Sequence, residues 1–337
     1  MKSDGALYGK RYRVIVSTDI GGSDEDDFQS MVHFLLYSYL FDVEGLISSP
    51  WGNGRVKDIF DVIDAYEKDY DKLKKYSKNY PTPDYLRSIT AQGEINFAPY
   101  CGYKSETDGS KLIIDAARKA DKRPLYILAW GLLEDISQAL YDAPDILPKL
   151  RVIYIAGPNK KWGCNAYQYI KENHPSLWII ENNSTYRGFI NDIDGIEYEY
   201  TNKGFVETYV KNSGALGKFF STKCNGCLRM WDTPTVLYLL KGNPEKPEVC
   251  SLGGVFEKVY KRPEAFFKRD LTIDDKIEMF SIMEFEFKGP ILAHSYTNEI
   301  VFIWKSKINY SRDFTLEMEY IRLDLCLNHL DYLNMRL

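Results

Sequence analysis

Over its first 240 residues the chain alternates short apolar runs of strand length with stretches that are apolar at helical spacing. Tyr12–Ser17 (YRVIVS) is a β-branched strand run, and Asp26–Phe41 is apolar at helical spacing with two acids in its first turn. Val43–Ser49 reads as a strand and Asn53–Tyr76 as a charged amphipathic helix. Thr90–Ser105, rich in Gly, Pro and Asn, reads as a loop, and Gly109–Ala120 as a helix. Pro124–Trp130 is a buried strand followed by helix Leu132–Tyr141; Arg151–Ala156 is a strand, Asn165–Asn173 a helix and Leu177–Ile180 a strand. This order predicts an α/β fold with a mostly parallel, doubly wound sheet and helices on both faces. Such folds bind ligands beyond the carboxyl ends of their strands.

Beyond about Lys241 the pattern changes. Gly242–Pro247 is a loop, Lys276–Lys288 alternates like a half-exposed strand that Glu299–Trp304 can pair with, and Phe314–Leu337 reads as an amphipathic helix. The expected organisation is therefore an α/β domain over 1–241 and an extension or cap over 242–337, packed on the same domain.

The chain has 337 residues, with 43 Lys+Arg against 48 Asp+Glu, a formal net charge of -5. A mild acidic surplus argues against a nucleic-acid or membrane-surface binder, since both need a basic footprint. No run of about 18 apolar residues suggests a transmembrane helix. The polar start, Met1–Tyr12, lacks the apolar core of a secretory signal, and the six scattered cysteines suit reduced thiols. The expectation is a cytoplasmic protein acting on a small molecule, and a homo-oligomer is compatible with that. Aromatic residues make up 15%, with 26 Tyr, which fill a core or offer carbohydrate-stacking surface.

The chemistry concentrates in Ser17-Thr18-Asp19-Ile20-Gly21-Gly22-Ser23-Asp24-Glu25-Asp26-Asp27, where five acids lie within nine residues between the first strand and the first helix. The glycine pair allows a sharp turn on which the acids converge. Two readings follow. Clustered carboxylates repel, and a shared hard cation such as Ca²⁺ or Mg²⁺ relieves that repulsion. Alternatively, Asp26 and Asp27 favour the helix N-terminus while Asp24 and Glu25 are solvated. A phosphate-cradling loop wants backbone N–H groups and a lysine, not five acids. A haloacid-dehalogenase phosphatase needs an aspartate where Ser17 stands.

This loop resembles the acidic signature of the nucleoside hydrolases. It is closer to the divergent nucleoside hydrolase-like domain of proteins described as cellulose-binding, which carry a Gly-Gly-Thr-Asp-Pro-Asp-Asp-Phe-Gln-Ser type loop; Gly21–Ser30 reads GGSDEDDFQS. Gly52-Asn53, Ala129-Trp130-Gly131, Ile180–Gly188 and Trp231-Asp232-Thr233-Pro234 fit in order, so the resemblance covers roughly residues 12–240. It implies Ca²⁺ held by Asp19, Asp27, Asp232 and the Trp130 carbonyl. It implies Asp26 as the general base for a metal-bound water attacking the anomeric carbon of a sugar or nucleoside-like substrate. Asn53, Asn183, Trp231 and Asp24 would serve substrate binding, Asp24 as support for the acidic set.

One departure bears on the reaction. Many nucleoside hydrolases place His before the distal Asp to protonate the leaving base, and here Trp231 stands there. Tryptophan stacks but cannot supply that proton. The alternative is then a non-catalytic carbohydrate-binding protein on the same fold. His33, His174, His294 and His329 read as structural. Cys224-Asn-Gly-Cys227 is a lone CxxC without partners for zinc. Asn182 and Asn183 are sugar-binding groups or a turn, Arg187 pairs with the acidic pocket or faces solvent, and Lys68–Lys78 is a solvated helix face.

Overall fold

The computed structural model describes residues 11–50, 52–157, 159–182 and 197–243, with 246, 247, 249, 253 and 256. Six strands form one parallel sheet: β1 (Tyr12–Thr18), β2 (Phe41–Ser48), β3 (Thr90–Gln92), β4 (Leu125–Ala129), β5 (Leu150–Ile155) and β6 (Trp178–Asn182), in the order β3-β2-β1-β4-β5-β6. Val14, Ile15 and Val16 of β1, Ile127 and Leu128 of β4, and Val152 and Ile153 of β5 are fully buried. Such continuous apolar runs belong to strands covered on both faces.

The connecting helices are α1 (Asp26–Tyr37), α2 (Val56–Tyr76), α3 (Pro83–Ser88), α4 (Asp108–Arg118), α5 (Glu134–Asp142), α6 (Asn159–Trp162) and α7 (Cys164–Asn173). After β6 come α8 (Asn202–Phe205), α9 (Gly214–Ser221) and α10 (Thr233–Lys241). Right-handed crossovers put α1 and α2 on one face and α4, α5 and α7 on the other. The packing agrees: α1 meets α2, α9 and α10, while α4 meets α5 and α5 meets α7. The chain runs outward from β1 through β2 to β3, then returns to β4 on the other side of β1. The strand order therefore reverses between β1 and β4, and the crevice beyond their carboxyl ends is where this architecture binds ligands.

Several boundaries differ from the sequence reading. The first helix stops at Tyr37; a 3₁₀ turn, Ser38–Leu40, follows, and Phe41 already belongs to β2. Phe41 keeps helical spacing because its ring stacks on Phe34 at 5.9 Å, so one apolar stripe is shared by two elements. Thr90–Gln92, expected as loop, is the edge strand β3, paired with Leu46–Ser48 of β2. Three half-buried residues, Thr-Ala-Gln, carry no apolar signal. The second helix begins at Val56 rather than Asn53, because Gly52–Arg55 turns and the Asp58 carboxylate accepts the Arg55 N–H at 2.9 Å. The short helices α3, α6 and α8 and the helix α9 were not read from the pattern.

Gly253 and Phe256 lie against the domain: Phe256 meets Tyr238 of α10 edge-on at 5.7 Å, and the Gly253 carbonyl accepts from Asn182 Nδ2 at 3.4 Å. The elements expected at 276–288, 299–304 and 314–337 lie outside the described residues, as do Asn183, Arg187, His294 and His329.

Candidate functional site

At the carboxyl end of β1 the chain makes a tight turn. The Gly22 N–H donates to the Asp19 carbonyl at 2.9 Å, and Gly21, third in the turn, takes φ +78°. That conformation needs glycine at this place. The turn swings the chain into α1, whose first two residues are Asp26 and Asp27. Both are buried, while Asp24 and Glu25 are exposed. Oxygens of Asp24, Asp26 and Asp27 lie within 4.8 Å of one another. Asp19 and Asp27 meet at hydrogen-bonding range, as do Asp24 and Asp26. The Thr18 hydroxyl, the last side chain of β1, donates to Asp27.

Trp130 follows β4, and its N–H donates to the Ser17 carbonyl at 2.7 Å. Its indole Nε1 donates to Thr235 Oγ1 at 2.7 Å, and the Thr235 hydroxyl donates to the Asp232 carbonyl at 2.8 Å, so β4 is tied to the start of α10. A Cβ on Gly131 would fall 2.8 Å from Asp19 Cβ, so the Trp130–Gly131 backbone lies directly against Asp19. Asp232 stands at the N-cap of α10 but makes no side-chain capping bond. It is buried, and its Oδ2 has no hydrogen-bond partner. The carboxylates of Asp27, Asp26, Asp19 and Asp24 all act on it electrostatically.

The tightest acidic group among the described residues is thus Asp24, Asp26 and Asp27 rather than the expected trio Asp19, Asp27 and Asp232; Asp19 touches Asp27, the Trp130–Gly131 backbone lies against Asp19, and Asp232 stands within electrostatic reach at the β1/β4 reversal. Burial, then the neighbouring acids, hold Asp19, Asp26, Asp27 and Asp232 well above the ordinary carboxylate range. Among the described residues no lysine or arginine forms an ion pair with these five aspartates; the loop acid that has one is Glu25, with Lys223 Nζ at 3.4 Å. An all-oxygen set with an orphaned buried carboxylate oxygen fits a hard divalent cation.

Asn53 is exposed on the turn after β2, and that turn packs on the acidic loop: a Cβ on Gly54 would fall 2.1 Å from the Ile20 carbonyl oxygen. Trp231 is half-buried, with the Arg229 guanidinium 5.3 Å from its ring centroid. At the end of β6, Asn182 is buried with Oδ1 unpartnered, and Glu181 is paired with buried Lys160 at 3.1 Å and bonded by the Tyr167 hydroxyl at 2.6 Å. Cys224 and Cys227 are free thiols in a 3₁₀ turn; burial and the nearby acids Asp26, Glu25 and Asp24 push the Cys224 thiol up, which makes it a poor nucleophile. His33 is buried in α1 with its ring 4.8 Å from that of Tyr37, and His174 is buried 3.3 Å from the Tyr169 hydroxyl.

Sequence reasoning missed Thr18, Gln29, Ser30, Lys160 and Tyr154. Tyr154 of β5 is fully buried with an unpartnered hydroxyl, and burial with the acids Glu134, Glu181 and Asp19 keeps its phenol protonated. Its signal was the place alone, next to last in a strand whose carboxyl end borders the crevice.

A six-stranded parallel sheet of this order, with an acidic loop at its reversal, defines an open α/β protein with an acidic crevice. Within that class the chain belongs to the family described as cellulose-binding Sde182, nucleoside hydrolase-like domain, which matches residues 13–256. A solved nucleoside hydrolase-related protein of Saccharophagus degradans, described as associated with carbohydrate metabolism, is similar at 24% identity and a TM-score of 0.62, covering 92% of this chain and 72% of that one. A plant nucleoside hydrolase is similar at 15% identity and TM-score 0.41, over 70% of this chain and 80% of that one. An inosine-uridine preferring nucleoside hydrolase of Bacillus anthracis is similar at 13% and 0.42, over 70% and 83%. No curated protein matches the chain. Among the described residues no helix is long and apolar enough to cross a membrane.

Proposed function

We propose that this protein is a Ca²⁺-dependent hydrolase of N-glycosidic, nucleoside-like or related glycosidic bonds. The observation that carries the reading is the buried carboxylate set at the β1/β4 reversal, in which Asp232 Oδ2 has no partner of its own. Asp19, Asp27, Asp232 and the Trp130 carbonyl would hold the ion. When bound, Ca²⁺ supplies charge neutralisation and Lewis acidity, and it takes oxygen ligands enough to include sugar hydroxyls.

The remaining work falls to the chain. Asp26 accepts the proton of the attacking water; burial and Asp24 raise the proton affinity of its carboxyl above that of an ordinary carboxylate, the direction that favours a base. Asp24, in contact with Asp26, supports the acidic set. Asn53, on the rim, suits a sugar hydroxyl, and Asn183, next to buried Asn182, is assigned the same role. Trp231 offers a flat apolar face to a ring but no proton. The leaving group must therefore depart without protonation from that position.

Incubation with a panel of nucleosides and aryl glycosides, with Ca²⁺ or with EGTA, tests the reading. Turnover is expected with Ca²⁺ and lost with EGTA, and Asp26→Asn should lower it about 10²–10⁴-fold. Unchanged release after Asp26→Asn removes the base assignment. Trp231 at the place of a proton donor, with the family description, favours a second reading: a carbohydrate-binding protein without turnover. Retention on insoluble cellulose with no hydrolysis of any panel member would establish it.

A further inference from the structure

The residues Phe28-Gln29-Ser30, which complete the first loop's motif, have no part in the chemistry above. Gln29 is fully buried on α1. Its Nε2 lies 2.9 Å from the Cys227 carbonyl, 3.4 Å from that of Lys223 and 3.5 Å from that of Phe220. Its Oε1 accepts the Arg229 N–H at 2.8 Å. Ser30, also fully buried, accepts the Asp232 N–H on its hydroxyl at 3.2 Å. Just before the helix, Glu25 accepts the Cys224 N–H at 2.9 Å. Glu25, just before the helix, and Gln29 lie one turn apart, and Ser30 follows on the adjoining side. The segment from Lys223 to Asp232 is thus bound repeatedly to the helix that carries Asp26 and Asp27.

That segment holds a backbone that L-residues seldom adopt. Cys224, Asn225, Gly226 and Met230 take φ of 53°, 55°, 73° and 45°. Nothing in α10 itself fixes the Asp232 side chain, which makes no capping bond. We infer that Gln29 is a positioning residue for the cation site. Through both ends of its amide it fixes the 223–232 segment at the spacing that delivers the Asp232 carboxylate to Asp19, Asp26 and Asp27. An amide is required because donor and acceptor are needed within one buried side chain. The inference rests on the cation-binding reading of the site and goes beyond it in naming what assembles the site from two segments 200 residues apart.

The test is a Ca²⁺ titration by calorimetry on the whole chain, with the thermal midpoint measured alongside. The proteins are wild type, Gln29→Met, Asp232→Asn and the double variant. Methionine keeps the volume of Gln29 and loses the amide; Asp232→Asn keeps an oxygen ligand, so binding stays measurable. Gln29→Met should weaken Ca²⁺ binding to the folded protein about 10- to 100-fold, and should add less than about twofold in the Asp232→Asn background, since residues acting through one another are not additive. If Gln29→Met does not fold, Gln29→Glu, which keeps the shape and the bond from Arg229, enters the same cycle. Unchanged affinity, or an equal loss in both backgrounds, overturns the inference while leaving the cation reading in place. No Ca²⁺ binding by the wild type overturns both.

Discussion

Replacing Gly131 by alanine puts a methyl carbon 2.8 Å from Asp19 Cβ, 2.9 Å from its Cγ and 3.0 Å from its backbone nitrogen. Carbon atoms in ordinary contact sit at about 3.5–4.0 Å, so Asp19 or the backbone beside it must move by several tenths of an ångström. Gly131 is not among the glycines at positive φ, so alanine has no backbone conflict there. On conformational entropy alone, Gly→Ala at a compatible site stabilises by about 0.4–1 kcal/mol. The expected loss therefore comes wholly from crowding against Asp19. Overpacking of this kind costs about 1–3 kcal/mol, which against the entropic gain leaves a net destabilisation of at most about 2.6 kcal/mol in urea unfolding. The larger effect should fall on the site, because the crowded side chain is an assigned ligand and its neighbour the assigned carbonyl donor. Ca²⁺ affinity should drop about 10- to 100-fold. If Gly131→Ala unfolds at the wild-type midpoint and binds Ca²⁺ with wild-type affinity, the Trp130–Gly131 backbone is not part of the site and the assignment of its carbonyl fails.

Further outcomes follow from the buried acids. Asp232 has a folded-state carboxyl held high, so the stability it contributes is present below the ordinary carboxylate range and lost as pH rises. Asp232→Asn should therefore gain midpoint over the metal-free wild type as pH climbs, while its Ca²⁺-induced shift shrinks; scanning calorimetry with EGTA and with Ca²⁺ reads both. Asp135, on the first turn of α5, is pushed by burial from 3.8 to about 6, although it accepts the Thr107 hydroxyl at 2.6 Å and the Glu94 N–H at 3.0 Å. A rise of about two units corresponds to about 3 kcal/mol of stability, present below pH 3.8 and lost as pH passes about 6. Asp135→Asn should remove that slope between pH 4 and 7 at a roughly constant cost of about 1–2 kcal/mol in hydrogen bonding, measured by urea unfolding across the range.

What could be read in the sequence was what short-range order encodes. The β1 run, the Gly21–Gly22 turn and the acids at the start of α1 are contiguous, so strand, turn and site declare one another. The sheet followed from the alternation, since buried parallel strands are apolar on both faces. The order of weak motifs singled out Trp130 and Asp232, and the fold places both at the β1/β4 reversal. The rest depends on partners distant in the chain. Gln29 meets Arg229 across 200 positions, and Asp135 ties together Glu94 and Thr107. A glutamine or aspartate at such a place has the same local pattern as a solvated one, and only burial separates them. β3 was missed for the opposite reason: its backbone pairing needs no apolar side chains at all.

The acidic cluster and the architecture constrain each other. Three buried carboxylates, Asp26, Asp27 and Asp232, and half-buried Asp19 converge on a crevice in which, among the described residues, no basic side chain pairs with them. The N-terminus of α1 offers the equivalent of roughly half a positive charge, far short of four negative ones. The Thr18 hydroxyl stabilises one acid, Asp27, while the contacts of Asp19 with Asp27 and of Asp24 with Asp26 set carboxyl against carboxyl. Near neutral pH the site must therefore keep protons or take a cation. These alternatives move in opposite directions with pH: the protonated form weakens as pH rises, whereas cation affinity strengthens as the ligands ionise. A fold that needed only neutral side chains here would have no reason to leave Asp232 Oδ2 without a partner. The unpaired oxygen and the mutual repulsion together favour the cation as the group that completes the site.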